Sequence, residues 1–138
     1  MSRKIDYIVI HCTATPKNTT VASIQNHWKN VLGWKSPGYH FLIESNGTIH
    51  QLSHLDIPTN GVRGFNSNSI HISYIGGHHK DDRTEAQKAS ILIAINRALQ
   101  YCKDSGSKPV IQGHRDFPQV AKSCPQFNAK PEYLWITV

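Results

Sequence analysis

A single-domain α/β or α+β protein is what the order of hydrophobic patterns predicts, and three observations carry the prediction. Tyr7-Ile8-Val9-Ile10 is a continuous apolar, β-branched run, as in a strand buried on both faces. Asn46-Gly47 lies between two strand-like runs, a strong hairpin signal. Two stretches, 20–32 and 84–103, carry apolar residues at helical spacing. The full order reads β-α-β-β-β-α-β-α, a sheet with helices packed on its faces. No internal repeat or linker divides the chain, so residues 1–138 are read as one domain.

The first strand, over residues 5–11, ends at His11, and a polar loop follows. A histidine there either caps the strand or points into the crevice where such sheets bind ligands. Thr19 or Thr20 then caps a helix reaching about Leu32, with Ile24, Trp28, Val31 and Leu32 on one stripe and Gly33 at its end. His27 falls off that stripe and is expected in solvent. The hairpin strands span 39–44 and 48–52. Alternation puts Tyr39, Phe41 and Ile43 on one face and His40, Leu42 and Glu44 on the other. On local pattern alone, Tyr39 reads as a core tyrosine.

Residues 53–69 form a long irregular loop rich in Gly and Asn, of the kind that is functional or mobile. A strand over 70–75 closes at Gly76-Gly77, and His78-His79 sit in a charged, solvated run. Thr84-Glu85-Ala86-Gln87 matches a capping box. The helix it opens buries Ile91, Leu92, Ile95, Ala98, Leu99 and Cys102. A short strand over 109–112 delivers Gly113-His114. A last helix over 130–136 is capped by Asn128 and turns Trp135 inward.

Composition narrows the function. Apolar residues make up 38% and charged residues 17%, which suits a globular protein. No apolar run approaches the roughly 20 residues needed to cross a bilayer, so membrane insertion is not expected. No leader-type segment opens the chain, so an export signal is not expected either. The three cysteines are an odd count, against a disulfide framework. Cys102 and Cys12 read as core, Cys12 because alternation turns it away from His11. The net charge of +6 favours an anionic partner such as a cell-wall polymer. The Lys and Arg residues are scattered, which disfavours nucleic acid.

Three candidate metal ligands remain: His11, His114 and Cys124. Three ligands with an open position fit a catalytic zinc. Spacing alone does not settle it, because the short zinc motifs are missing. Gly-x-Ser-x-Gly and phosphate-binding Gly-rich loops are missing too.

Several segments, in order, resemble the zinc-dependent N-acetylmuramoyl-L-alanine amidases, which include the short phage amidases and the peptidoglycan recognition proteins. They are Ile8-Val9-Ile10-His11-Cys12-Thr13-Ala14-Thr15, Gly38-Tyr39-His40-Phe41-Leu42-Ile43 with Asn46-Gly47-Thr48, and Gly64-Phe65-Asn66-Ser67-Asn68-Ser69-Ile70. Gly113-His114-Arg115-Asp116-Phe117 and Lys122-Ser123-Cys124-Pro125 complete the set. The resemblance implies a central mixed β-sheet flanked by helices. It implies one catalytic zinc on His11, His114 and Cys124, with Tyr39 and Lys122 as catalytic side chains. Zinc would activate a water, Lys122 would face the charge developing on the amide oxygen, and Tyr39 would hydrogen-bond the water or help move its proton.

The substrate implied is peptidoglycan, cut between N-acetylmuramic acid and L-alanine. The alternative is a module that binds muropeptide without cleaving it, and retention of Cys124 with both histidines, Tyr39 and Lys122 speaks for the enzyme. A third reading, a regulatory surface for another protein, has no sequence feature to identify it. A monomeric phage endolysin held in the host cytoplasm until release, acting on the wall, is the expected setting; a wall-remodelling enzyme is the runner-up. Two positions depart from the pattern. Relatives often carry His near Gly61 and Gly near His71, which suggests that His71 fills space vacated at Gly61.

Overall fold

β1 (Tyr7–Cys12) is the strand on which the others are assembled, and every residue from Ile8 to Cys12 is buried. The computed structural model describes residues 3–118, 120 and 122–136. In it, β1 pairs in parallel with β4 (Ser69–Tyr74) on one side and β5 (Val110–Gly113) on the other. β2 (Phe41–Ile43) adds in parallel to β4, and β3 (Ile49–Gln51) closes the edge antiparallel to β2. The sheet is therefore mixed, in the order β3-β2-β4-β1-β5. The central parallel strands are the buried ones, as their uninterrupted apolar runs require.

Alternation divides the sheet into two working faces. Ile8, Ile10 and Cys12 of β1, with Ile70, Ile72 and Tyr74 of β4, pack against α2 (Glu85–Asp104). That helix supplies Ile91, Ala94, Ile95, Ala98 and Cys102, all buried. Each fully buried isoleucine stabilises this layer by about 1.5–3 kcal/mol. α2 starts on the expected capping box: the Thr84 hydroxyl accepts from Gln87 N–H, and the Gln87 amide oxygen accepts from Thr84 N–H. The other sheet face carries Val9, His11, His71 and Ser73, and the site lies on that side.

α1 (Val21–Asn26) is capped by Thr20, whose hydroxyl accepts from Ser23 N–H. It then widens into a π-helical turn over His27–Val31, closed by Leu32 N–H to His27 carbonyl at 3.0 Å. The wider turn rotates later residues off the stripe. Ile24 and Trp28 stay buried, but Val31 and Leu32 are 66% and 45% exposed, contrary to the 3.6-residue pattern. His27 is exposed as expected. Residues 39 and 40 precede β2 rather than belonging to it, so strict alternation fails there: Tyr39 packs beside Leu42, Trp28 and Ile24, not beside Phe41.

The C-terminal part departs most. α3 is one turn, Ala129–Glu132, and Asn128 makes no side-chain cap; its amide oxygen accepts from Arg115 instead. With the helix this short, Tyr133 fills the inward position at 3% exposure and Trp135 is 70% exposed. Arg83 ties α3 to the start of α2. Its nearly buried guanidinium bonds Asp81 at 2.9 Å and Glu132 at 2.7 Å and lies 3.3 Å over the Phe127 ring. The long loop has its own anchor in Arg3, which donates to the carbonyls of Leu55, Asn66, Ser67 and Ser69. Among the described residues, no helix is long and apolar enough to cross a membrane.

Candidate active site

Parallel pairing of β1 with β5 explains why two histidines far apart in sequence meet. Ile10 lies opposite Gly113, so the next residues, His11 and His114, leave the same end of the sheet together. Their ring centroids are 4.8 Å apart. His114 opens a 3-10 turn, which Asp116 fastens by accepting from Gly113 N–H at 2.8 Å.

Cys124 arrives from the loop beyond. Arg115 N–H donates to the Cys124 carbonyl at 2.9 Å, and Tyr74 Oη donates to the Pro125 carbonyl at 2.7 Å. A Cβ on residue 113 would lie 2.7 Å from Pro125 Cδ, so Gly113 is what lets this loop come against the end of β5. The outcome is a cluster of one ligating atom each from His11, His114 and Cys124, all within 4.8 Å of one another.

The electrostatics suit ligation. Burial holds His11 well below the ordinary imidazole range, reinforced by His71, His114 and Lys122. His114 is lowered to about 4, again by burial first and Lys122 second. Both imidazoles are therefore neutral and keep a lone pair. The shared hydrogen bond with Cys12, followed by burial, pushes the Cys124 thiol up. Cys12 N–H lies 3.1 Å from Cys124 Sγ, ready to support the thiolate that a metal would require. Cys12 itself is core, with its side chain packed against Gly77.

A cleft of about 780 Å³ opens over the cluster. Tyr39, Lys122, His114 and Cys124 line it, Trp28 and Trp34 form one wall, and Arg63 and Phe65 belong to the loop side. His11 lies beneath, 1% exposed. The Tyr39 ring is 4.9 Å from that of His11, and its hydroxyl donates to the Cys12 carbonyl at 3.4 Å. Burial pushes the Tyr39 phenol up, so it holds its proton at any physiological pH. Lys122 is exposed at the rim. All five expected site residues therefore meet in one place, whereas His78 and His79 stand in solvent.

Sequence reasoning missed what lies behind His11. His71 is fully buried, with Nδ1 2.9 Å from His11 Nε2. Its Nε2 is 2.9 Å from Asn66 Oδ1. A Cβ on residue 61 would lie 2.3 Å from His71 Nδ1, so the His71 ring does occupy the space beside Gly61. The hydrogen-bonding role of Asn66 was not legible, although its Gly-x-Asn setting had marked the segment.

The family model for N-acetylmuramoyl-L-alanine amidases matches residues 1–127. The endolysin of Enterobacteria phage T3 is 33% identical over 132 residues, covering 89% of this chain and 82% of the relative. Peptidoglycan-recognition protein SC2 of Drosophila melanogaster is 29% identical over 140 residues, covering 93% and 72%. Among solved structures, N-acetylmuramoyl-L-alanine amidase LysC from Clostridium intestinale superposes with a TM-score of 0.75 at 27% identity, covering 96% of this chain and 83% of that one. The sheet order, the paired histidines at its C-terminal edge and these matches lead to one assignment: the chain belongs to the N-acetylmuramoyl-L-alanine amidase family.

Proposed function

We propose that the chain hydrolyses peptidoglycan at the amide joining the lactyl group of N-acetylmuramic acid to L-alanine, using one zinc ion held by His11, His114 and Cys124. The observation that carries this reading is the convergence of two imidazoles and a thiol at the floor of an open cleft. The donor set suits zinc, and three ligands leave a fourth position open. With Zn–N of about 2.05 Å and Zn–S of about 2.3 Å, tetrahedral bonding places N and S about 3.6 Å apart. His11 Nδ1 and Cys124 Sγ are 4.0 Å apart, close to that spacing.

Bound there, zinc supplies Lewis-acid polarisation of the amide and a water acidic enough to ionise near neutral pH. The remaining work belongs to the chain. Lys122 brings an ammonium to the rim above the ligands, where it offsets charge developing on the carbonyl oxygen. Tyr39 keeps its proton on Oη, so it acts as a hydrogen-bond donor that positions the attacking water rather than as a phenolate base. Trp28 and Trp34 offer an apolar wall for the sugar or stem peptide. The place of action is the bacterial wall, with the chain working as a monomer, in the manner of an endolysin or of a wall-remodelling enzyme.

Digestion of purified peptidoglycan with and without chelator tests the proposal, with products identified by mass spectrometry. Free stem peptides beginning at L-alanine, lost on chelation and restored by zinc, are the expected result. Cuts within the glycan, or release indifferent to chelator, would overturn it. Retention of muropeptide with no release would identify a binding module instead.

A further inference from the structure

The hydrogen bonds behind His11 can be followed atom by atom. Val62 N–H donates to Asn66 Oδ1 at 2.8 Å, which identifies that atom as the carbonyl oxygen, since an amide NH2 there would set two donors against each other. Val62 is 2% exposed, so its N–H has no ready substitute partner in solvent. The same Asn66 oxygen lies 2.9 Å from His71 Nε2, so His71 must carry its proton on Nε2 and use Nδ1 as an acceptor. His71 Nδ1 lies 2.9 Å from His11 Nε2, so His11 in turn must carry its proton on Nε2. Its remaining lone pair is on Nδ1, the atom that faces Cys124 Sγ.

We infer that His71 is a positioning residue which, set by Asn66, fixes His11 in the tautomer protonated on Nε2 and so presents the Nδ1 lone pair to the metal. The inference rests on the reading of His11 as a ligand. A partner on the second ring nitrogen sets both tautomer and ring orientation of a ligating imidazole. Two further features hold the relay in place. His71 N–H donates to His40 Nδ1 at 3.0 Å, which pins the backbone from which the ring projects. Arg3 donates to the Asn66 carbonyl and, at 3.1 Å, to the Ser69 carbonyl, fixing the segment that carries the amide. Gly61 is the steric counterpart, since a side chain there would displace the His71 ring.

The same geometry defines the test. A glutamine at 71 offers one acceptor and one donor on a planar amide, as the neutral imidazole does, whereas leucine fills the volume and offers neither. Zinc affinity of the metal-free protein is measured by competition with a chromophoric chelator. His71→Leu is expected to weaken zinc binding roughly 10–100-fold while His71→Gln stays within about threefold of the unaltered protein. Gly61→Ala, which alters no atom of the relay but crowds the ring, is expected to weaken zinc in the same direction.

Proton–nitrogen correlation spectra of the unaltered, metal-free protein provide a readout that needs no substitution. They should show His11 as the Nε2–H tautomer, and His71→Leu should show a mixture. Unchanged zinc affinity in His71→Leu, or an Nδ1–H tautomer for His11 in the unaltered protein, overturns the inference. His11→Ala keeps the two levels distinct. If it binds zinc as tightly as the unaltered protein, the ligand assignment itself has failed; if it loses zinc while His71→Leu does not, only the relay has failed.

Discussion

In the proposed zinc site, Cys124 is the side chain whose protonation state must change most, because the thiol favoured by its surroundings has to become a thiolate. Serine at this position keeps the size but not the soft anionic donor. Cys124→Ser should therefore lower chelator-sensitive activity at least about 100-fold, while its far-ultraviolet dichroism matches the unaltered protein. Full activity in that variant would refute the ligand assignment. In the mechanism proposed above, Lys122 acts on the developing oxyanion rather than on the bound ground state. Lys122→Ala should then lower kcat about 100-fold with little change in KM, and a pure KM effect would move Lys122 into substrate binding. The residues alone offered a histidine ending a buried strand and a His and a Cys sharing one loop-like stretch, but the set of three ligands, with Tyr39 and Lys122, came from the family resemblance. Asn66 was not legible in the same way. Its role depends on which amide atom meets Val62 N–H, and that is a property of the fold.

At the scale of elements, the site depends on the end of β5 meeting the loop that carries Cys124. Gly113 and Pro125 are in contact there with no room for a methyl group. Gly113→Ala should destabilise the protein by about 1–3 kcal/mol in urea unfolding, by forcing the loop outward, and should weaken zinc binding in parallel. A stable variant with unchanged zinc affinity would show that the loop has slack. The succession of elements along the chain, the hairpin and the capping box could be read from sequence because each depends on local pattern. The stretches that misled did so for a shared reason. At Val31 and Leu32 a π-helical turn resets the helical phase, at Tyr39 the strand has not yet begun, and at Trp135 the helix stops after one turn. In each, periodicity was extended past the point where the backbone keeps it. Nothing in the hydrophobic pattern marks that point, because the π-helical turn closes through a backbone bond from Leu32 N–H to the His27 carbonyl and the Arg83 pair with Glu132 joins segments far apart in sequence.

Across the whole molecule, His40 ties the hairpin to the long loop and to β4. Its Nε2 lies 2.7 Å from the Ile57 carbonyl, and its Nδ1 receives His71 N–H at 3.0 Å. Nε2 must therefore be the donor and Nδ1 the acceptor, which leaves no place for a second proton. Arg3 Nη2, 3.4 Å from Nε2, adds a cation at the same spot. Burial, with Arg3 adding to it, lowers the His40 imidazole to about 4. The unfolded chain would take up the proton near the ordinary value of about 6.5. Between those two values the unfolded state binds more protons, so stability rises with pH across that window. Stated from the other side, the contribution is complete above about 6.5, is lost as pH falls towards about 4, and amounts to about 3 kcal/mol. His11, His71 and His114 are shifted in the same direction, so the full dependence of the metal-free protein is steeper than one site gives. His40→Gln separates the contributions, because an amide can accept from His71 N–H and donate to Ile57 without titrating. Urea unfolding of both proteins, metal-free, from pH 7 to pH 4 should show the variant losing about 3 kcal/mol less than the unaltered chain. Parallel pH curves for the two would mean that His40 titrates normally, and that the junction of N-terminus, hairpin, long loop and β4 opens before the domain unfolds.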